Sequence, residues 1–338
     1  MVEDEKEPLL QVTDLTVQFA VKRGFLGRNS YAVKAVNGVS FEIYPGETFG
    51  LVGESGSGKS TIGRALLRLV DLSGGKFTLS GTASEDLKGR MLDFRRDLQV
   101  VFQDPYSSLN PSMVVADIVG EPLTIHYGLR GKARDKKVAA LLEQVGLSPD
   151  QLERYPAEFS GGQRQRIAIA RALALEPKLI ICDEAVSALD VSTQSQVIGL
   201  LEELQDRLGL SYLFIAHDLA VVRHISHRIG VMYLGKLMEV GPAERIYEKP
   251  AHPYTQMLLT AIPIADPIKQ QQRKAERRKL PVTELPSPTN LPDGCPFHTR
   301  CIHVMDICRH SPPSVTPVEQ GGWVACHLYS SPEPTLDR

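Results

Sequence analysis

The stretch Gly53-Glu54-Ser55-Gly56-Ser57-Gly58-Lys59-Ser60-Thr61 restricts the folds open to this chain more than any other. The apolar run just before it, ending at Val52, reads as a buried strand. Three glycines within six residues then allow a tight loop whose backbone amides point at one anion. A helix beginning near Ser60 would set its positive N-terminal end beneath the same point. The spacing of Gly53, Gly58, Lys59 and Ser60 satisfies G-x-x-x-x-G-K-[ST], which predicts Lys59 on the β- and γ-phosphates of a nucleotide and Ser60 on magnesium. A glycine-rich turn carrying an unrelated lysine is the competing reading.

Strands and helices alternate from residue 9 to about Gly241, which calls for an α/β fold with a mostly parallel sheet flanked by helices. Residues 98–102 form a short strand, and Gln103 follows at the mouth of a proline-containing loop that can continue neither strand nor helix. Ser160, Gly161, Gly162 and Gln163 open a second helix with an anion-binding end. Residues 178–182 read as an apolar strand of the fully buried, parallel kind that stops at Asp183 and Glu184, where an α/β sheet places its ligands. A structural helix cap is the plainer reading of Asp183. Asp190 and a helix from Thr193 follow, and another core strand, residues 211–216, ends at His217. A lone histidine in that position is usually a satisfied core group, and it gains interest here only because a carboxylate pair ends a neighbouring strand. Tyr31, ahead of the glycine loop, is placed either to stack on an adenine ring or to pack at the surface.

A length of 338 residues suffices for about two domains with a sizeable core. The net charge of −2 argues against a nucleic-acid binder with a broad basic face. No run approaches the roughly eighteen apolar residues that a spanning helix needs, and the acidic first ten residues do not read as a signal peptide, so the cytoplasm is the expected compartment. Beyond residue 265 the character changes to a charged, glutamine-rich stretch at 269–279 and a proline-studded one at 281–292. Four of the five cysteines then crowd into the tail, as Cys295, Cys301, Cys308 and Cys326. Such thiols in a loop-rich segment read as ligands of a metal centre that would fold it. Zinc suits four cysteines but favours tighter knuckles, the wider spacing suits a [4Fe-4S] cluster better, and unligated thiols are the plain alternative. His298, His303, His310 and His327 are interleaved as further ligand candidates. Cys182, inside an apolar strand, reads as a small buried residue.

Together these pieces resemble the nucleotide-binding subunit of an ATP-binding cassette (ABC) transporter over roughly residues 9–250. Residues 53–61 match Walker A, Gln103 the Q-loop, Ser160 to Gln163 the signature, and residues 179–183 Walker B followed by Glu184. Residues 187–190 match the D-loop and His217 the switch histidine. Phe159 stands where leucine is usual and Ala185 where proline often follows the glutamate; neither removes a functional group. The resemblance implies an ATPase with a P-loop core of mixed sheet and flanking helices, a helical signature subdomain at about 104–175, and a small Cys-rich C-terminal extension at 293–330 joined by a linker and helix at 251–292. It implies Ser55, Gly56, Ser57 and Thr61 on ATP with the other loop residues, Mg²⁺ held by Ser60, Gln103 and Asp183, and Glu184 polarising water beside His217. Ser160 to Gln163 would act on ATP held by a partner.

The insertion at residues 23–29, the segment 252–259 with 261–263, and the cysteine tail are similar to the dipeptide and oligopeptide importers, a branch that includes nickel, glutathione and opine importers. That narrower resemblance implies a second ATPase subunit, two permease subunits, an extracytoplasmic binding protein, a place at the cytoplasmic face of the membrane, and an iron–sulfur cluster on the four cysteines. A soluble cassette ATPase that moves no solute is the rival class, and such proteins usually carry two cassettes or basic surfaces.

Overall fold

The computed structural model describes residues 7–23, 29–262 and 292–329. The loop 24–28 and, of the linker and helix at 251–292, residues 263–291 fall outside those residues. The chain opens with β1 (Leu10–Arg23) and β2 (Asn29–Ile43), then turns at Pro45-Gly46, where Glu47 N donates to Tyr44 O at 3.0 Å and Gly46 takes the positive φ, 74°, that such a turn requires. Next come β3 (Thr48–Val52), α1 (Lys59–Leu66), β4 (Gly74–Leu79), β5 (Thr82–Ala83), α2 (Met91–Asp97) and β6 (Leu98–Val101). A helical stretch follows: α3 (Pro105–Ser108), α4 (Val115–Tyr127), α5 (Gly131–Gln144), two 3₁₀ turns and α6 (Gly161–Leu173). The chain continues through β7 (Leu179–Asp183), α7 (Val191–Leu208), β8 (Ser211–Ala216), α8 (Leu219–Ile225), β9 (Arg228–Tyr233), β10 (Lys236–Pro242), α9 (Ala243–Glu248) and α10 (Pro253–Thr260). The last segment holds α11 (Ile307–His310), β11 (Val315–Pro317) and β12 (Trp323–Ala325).

Two sheets result. The larger runs β11-β12-β10-β9-β3-β8-β7-β6, parallel from β9 through β6 and antiparallel from β9 outward through β10, β12 and β11; the smaller is antiparallel, in the order β2-β1-β4-β5. Every residue of β3, β7 and β8 is buried, as a parallel sheet covered on both faces requires. Alternate side chains point to opposite faces. Leu179, Ile181, Leu213 and Ile215 pack with Val12, Phe41, Phe49 and Ile62 in the core between the two sheets. Ile180, Cys182, Tyr212 and Phe214 face the helices, where they join Ile167, Val197, Leu201 and Val222. Cys182 is wholly buried there, and burial pushes its thiol up to about 12, so it behaves as a small apolar side chain.

The cysteine-rich tail is built onto this frame. Strand β12 pairs antiparallel with β10, through Val324 opposite Glu239 and Trp323 opposite Val240, and thereby covers an edge that would otherwise carry unpaired backbone groups. Cys295, Phe297 and Cys308 belong to the main apolar cluster. The tail therefore has core packing of its own chain to lean on, which four spaced cysteines in a loop-rich sequence do not reveal.

Candidate nucleotide site

Strand β3 delivers the glycine loop to the C-terminal edge of the larger sheet, and α1 leaves from it. At Gly53 a Cβ would lie 2.1 Å from Met232 O, and at Gly58, whose φ is 105°, it would lie 2.1 Å from Ala35 O. Both positions admit only glycine. Ser55 and Gly56 are exposed at the loop's crest, Ser57 is buried beneath it, and Thr61 is half-buried in the first turn of α1. Gly58 gives α1 no side-chain cap, so the first amides of the helix face the loop. Lys59 is 4% exposed, and its Nζ donates to Gly53 O at 2.8 Å, Glu54 O at 3.0 Å and Ser57 Oγ at 3.3 Å. Burial lowers the pKa of its ammonium, against the pull of Glu184, Asp183 and Glu54.

The ends of the neighbouring strands bring the other predicted residues to the same edge. Ser60 Oγ donates to Asp183 Oδ1 at 2.7 Å. Burial raises the Asp183 carboxyl above its ordinary value, with the Ser60 hydrogen bond opposing. Glu184 leaves β7 in the left-handed region, at φ 50°, with its amide donating to Ile215 O at 2.9 Å. A non-glycine residue there is a strained position of the kind that clusters at functional sites. Gln103 Nε2 donates to Glu184 Oε2 at 3.0 Å, and His217 Nδ1 stands 3.4 Å from the same oxygen. Lys59, Ser60, Gln103, Asp183, Glu184 and His217 thus stand on one edge of the sheet, delivered by four strand ends. The Tyr31 side chain lies outside the described part of the structure.

Ser160 to Gln163 lie elsewhere. Ser160 caps α6 reciprocally: its Oγ accepts from Gln163 N at 3.3 Å while Gln163 Oε1 accepts from Ser160 N at 3.0 Å. Among the described residues no hydrogen bond or ion pair joins them to the glycine loop of their own chain. They pack instead on the start of α7, where a Cβ on Gly162 would meet Thr193 Cγ2 at 2.4 Å. Asp190 caps that helix, accepting from Ser192 Oγ at 2.5 Å, Thr193 N at 3.0 Å and Thr193 Oγ1 at 2.7 Å; these bonds hold its carboxyl well below the usual range.

Sequence reasoning missed three residues. Glu54, inside the glycine loop, donates its amide to Tyr254 Oη at 2.9 Å and receives Arg300 in a two-pronged ion pair at 2.7 and 3.0 Å. No local pattern signals partners 200 and 246 residues away.

Cys295, Cys308 and Cys326 are buried and Cys301 is half-buried. Burial, with the facing thiols adding to it, pushes Cys295 up to about 11 and raises Cys301 and Cys326 as well. Among the described residues, however, no three His, Cys, Asp or Glu side chains converge as a metal ligand group, so the expected metal centre is not assembled by this geometry. The interleaved histidines do not supply it either: His298 Nδ1 and His327 Nε2 sit 2.9 Å from the carbonyls of Cys295 and Ser311, and His303 and His310 are exposed.

Residues 36–187 match the family described as "ABC transporter", and residues 238–308 match "Oligopeptide/dipeptide transporter, C-terminal region". The oligopeptide transport ATP-binding protein AppF of Bacillus subtilis (strain 168) is 49% identical over 98% of this chain and 100% of its own length. The glutathione import ATP-binding protein GsiA of Escherichia coli (strain K12) is 54% identical over 84% of this chain, which spans only 45% of that relative. Among solved structures, the dimeric post-hydrolysis ATP-binding cassette MJ0796, bound to ADP and Pi, superposes with a TM-score of 0.61 at 29% identity, over 69% of this chain and 98% of that one.

Fold and site together define a P-loop ATPase of the cassette type. The chain belongs to the ABC transporter family, among its oligopeptide transport ATP-binding proteins. Among the described residues no helix is long and apolar enough to cross a membrane.

Proposed function

We propose that the chain is the energy-coupling subunit of an importer of dipeptides or oligopeptides, working at the cytoplasmic face of the membrane with a second ATP-binding subunit, two permease subunits and an extracytoplasmic binding protein. The observation that carries this reading is the Glu184 oxygen held between Gln103 and His217, at the same strand end as the Ser60–Asp183 pair. Phosphoryl transfer to water asks for positioning and charge neutralisation rather than covalent catalysis, and each residue has such a task. Lys59 exchanges the loop carbonyls of Gly53 and Glu54 for phosphate oxygens. Magnesium, when bound, neutralises charge between the phosphates; Ser60, Asp183 and Gln103 are the residues that would hold it. Glu184 polarises the attacking water, and His217 steadies it and contacts the γ-phosphate.

The signature residues close over ATP held by the partner subunit, with Asp190 and α7 directly behind them. ATP contacted by both subunits favours the closed pair through its differential affinity, and hydrolysis removes that preference. The loop after Gln103 passes this change on to the permease. Tyr106 is 65% exposed, the Arg164 guanidinium lies 3.8 Å from its ring centre, and Arg171 donates to Ser108 O at 2.7 Å, so the loop is tied to the helix that bears the signature. Glutathione import is the second reading, favoured by the identity to GsiA. The four tail cysteines form the remaining proposal: three buried thiols and a half-buried one in one small lobe, which a [4Fe-4S] cluster, or zinc as the alternative, would draw together on binding.

The decisive experiment purifies the intact complex from membranes, identifies its subunits by mass spectrometry and measures ATPase stimulation by candidate solutes. Permease subunits with peptide-stimulated turnover are expected. Stimulation by glutathione or nickel alone rejects the peptide assignment, and a chain that purifies without hydrophobic partners rejects transport.

A further inference from the structure

The cysteine-rich lobe reaches into the glycine loop at one point. Glu54 is held on every side: its amide by Tyr254 of α10, its carbonyl by Lys59, and its carboxylate by both prongs of Arg300, which directly precedes Cys301. The two side chains are 13% and 25% exposed, so the pair is largely shielded from water. The guanidinium is in turn seated against aromatic rings, 5.8 Å from the centre of Tyr233 and 5.9 Å from that of Phe297. Tyr233, Tyr254 and Phe297 pack on one another with centroids 4.7 to 5.4 Å apart, so the arginine does not swing freely.

A carboxylate in a phosphate-binding loop has the wrong sign for its ligand. A triphosphate brought to Lys59 meets Glu54 at close range, and in a partly desolvated site that repulsion is weakly screened. The bidentate guanidinium cancels the charge and fixes the loop's second residue in one geometry, which a lysine could not reproduce. We infer that Arg300 is a positioning residue for ATP: by neutralising and clamping Glu54 it makes nucleotide affinity depend on the docking of the cysteine-rich lobe. The inference rests on the ATPase reading above, and it concerns binding rather than the chemical step, because Arg300 acts through Glu54.

The test measures equilibrium affinity for a fluorescent ATP analogue with Mg²⁺, together with KM, kcat and thermal melting, on the full-length wild type, Arg300→Gln, Arg300→Lys and the double variant Arg300→Gln/Glu54→Gln. Arg300→Gln is expected to weaken nucleotide binding about tenfold and raise KM in parallel, with kcat within about twofold of wild type, the size set by one uncompensated charge near the phosphates. The double variant, with no net charge to cancel, is expected to recover to within about threefold of wild type. Should Arg300→Gln fail to fold, Arg300→Lys carries the comparison, with binding weakened about threefold by loss of the fork. Wild-type affinity in the folded single variant, or a double variant as weak as Arg300→Gln, overturns the inference alone. A wild-type chain that binds no nucleotide overturns the ATPase reading and this inference with it.

Discussion

One carboxylate oxygen of Glu184 serves two neighbours: Gln103 Nε2 donates to it at 3.0 Å, and His217 Nδ1 lies 3.4 Å away. Three strand ends thus fix a single atom. Replacing Glu184 by Gln keeps the shape and a carbonyl acceptor but removes the charge that polarises water. Turnover is expected to fall at least about a hundredfold, the usual scale for loss of a general base, while ATP binding survives. With ATP and Mg²⁺ the variant should accumulate as a closed pair with its partner subunit, measured by size-exclusion chromatography with light scattering. Full turnover and no paired species would remove Glu184 from the role assigned to it.

Gly58→Ala tests the loop itself. The added methyl has no room, at 2.1 Å from Ala35 O, and the φ of 105° is strained for any side chain. The backbone must move, and with it the amides that face the phosphates. Nucleotide binding is expected to be lost with a cost in stability of about 1–3 kcal/mol from the strained backbone alone, read by urea unfolding and by binding of the fluorescent analogue.

Glu239 is fully buried and carries a charge, so its partners decide its cost. It is ion-paired with Arg245 and accepts from the amides of Ala251 and His252 at 2.8 and 2.9 Å, which pins the start of α10 to strand β10. Arg245→Met leaves a buried carboxylate without its counter-charge and should destabilise the chain by about 3–5 kcal/mol. Arg245→Met/Glu239→Gln should recover part of that loss in urea unfolding, because the uncompensated charge has gone.

His252 sets a pH dependence. Its ring is 1% exposed, Nδ1 accepts from Tyr254 N at 2.9 Å, and burial pushes its pKa down to about 3 from 6.5. The unfolded chain takes up this proton near the ordinary value, the folded chain only near the lowered one. Stability from the neutral ring is therefore complete above the ordinary value and is lost as pH falls from there toward about 3, at up to about 1.4 kcal/mol per pH unit. His252→Asn keeps a cap on α10 and should flatten the slope of unfolding free energy between pH 6.5 and 4.5 relative to wild type.

Much of the site was legible because its chemistry is written in short local patterns. A glycine loop between strand and helix, and polar residues at the ends of apolar strands, place Lys59, Asp183, Glu184 and His217 on one sheet edge by topology alone. The order of strands in that sheet was not legible, since mainly apolar, fully buried runs such as β7 and β8 carry no sign of which neighbour or face they take. Long-range partners were equally hidden. The left-handed φ of Glu184, the Arg300–Glu54 pair and the addition of β12 to β10 all depend on residues brought together only by the completed fold.

The tail makes its own prediction. Burial pushes the Cys295 thiol up to about 11 and raises Cys301 and Cys326, and the packing of the lobe rests on Val324 against Ala251 and on Phe297 in the main core. A lobe that carries a cluster adds thiolate–metal bonds to that packing, and removing the metal then costs stability in proportion to its affinity. Chain purified without oxygen is expected to contain iron and sulfide, to absorb in the visible range, and to melt at a lower temperature after chelation or after Cys308→Ser. Zinc without iron would assign the alternative metal. A metal-free chain whose melting temperature is unmoved by chelator would leave the four cysteines as packing residues, held by the same strand addition and aromatic contacts that seat Arg300.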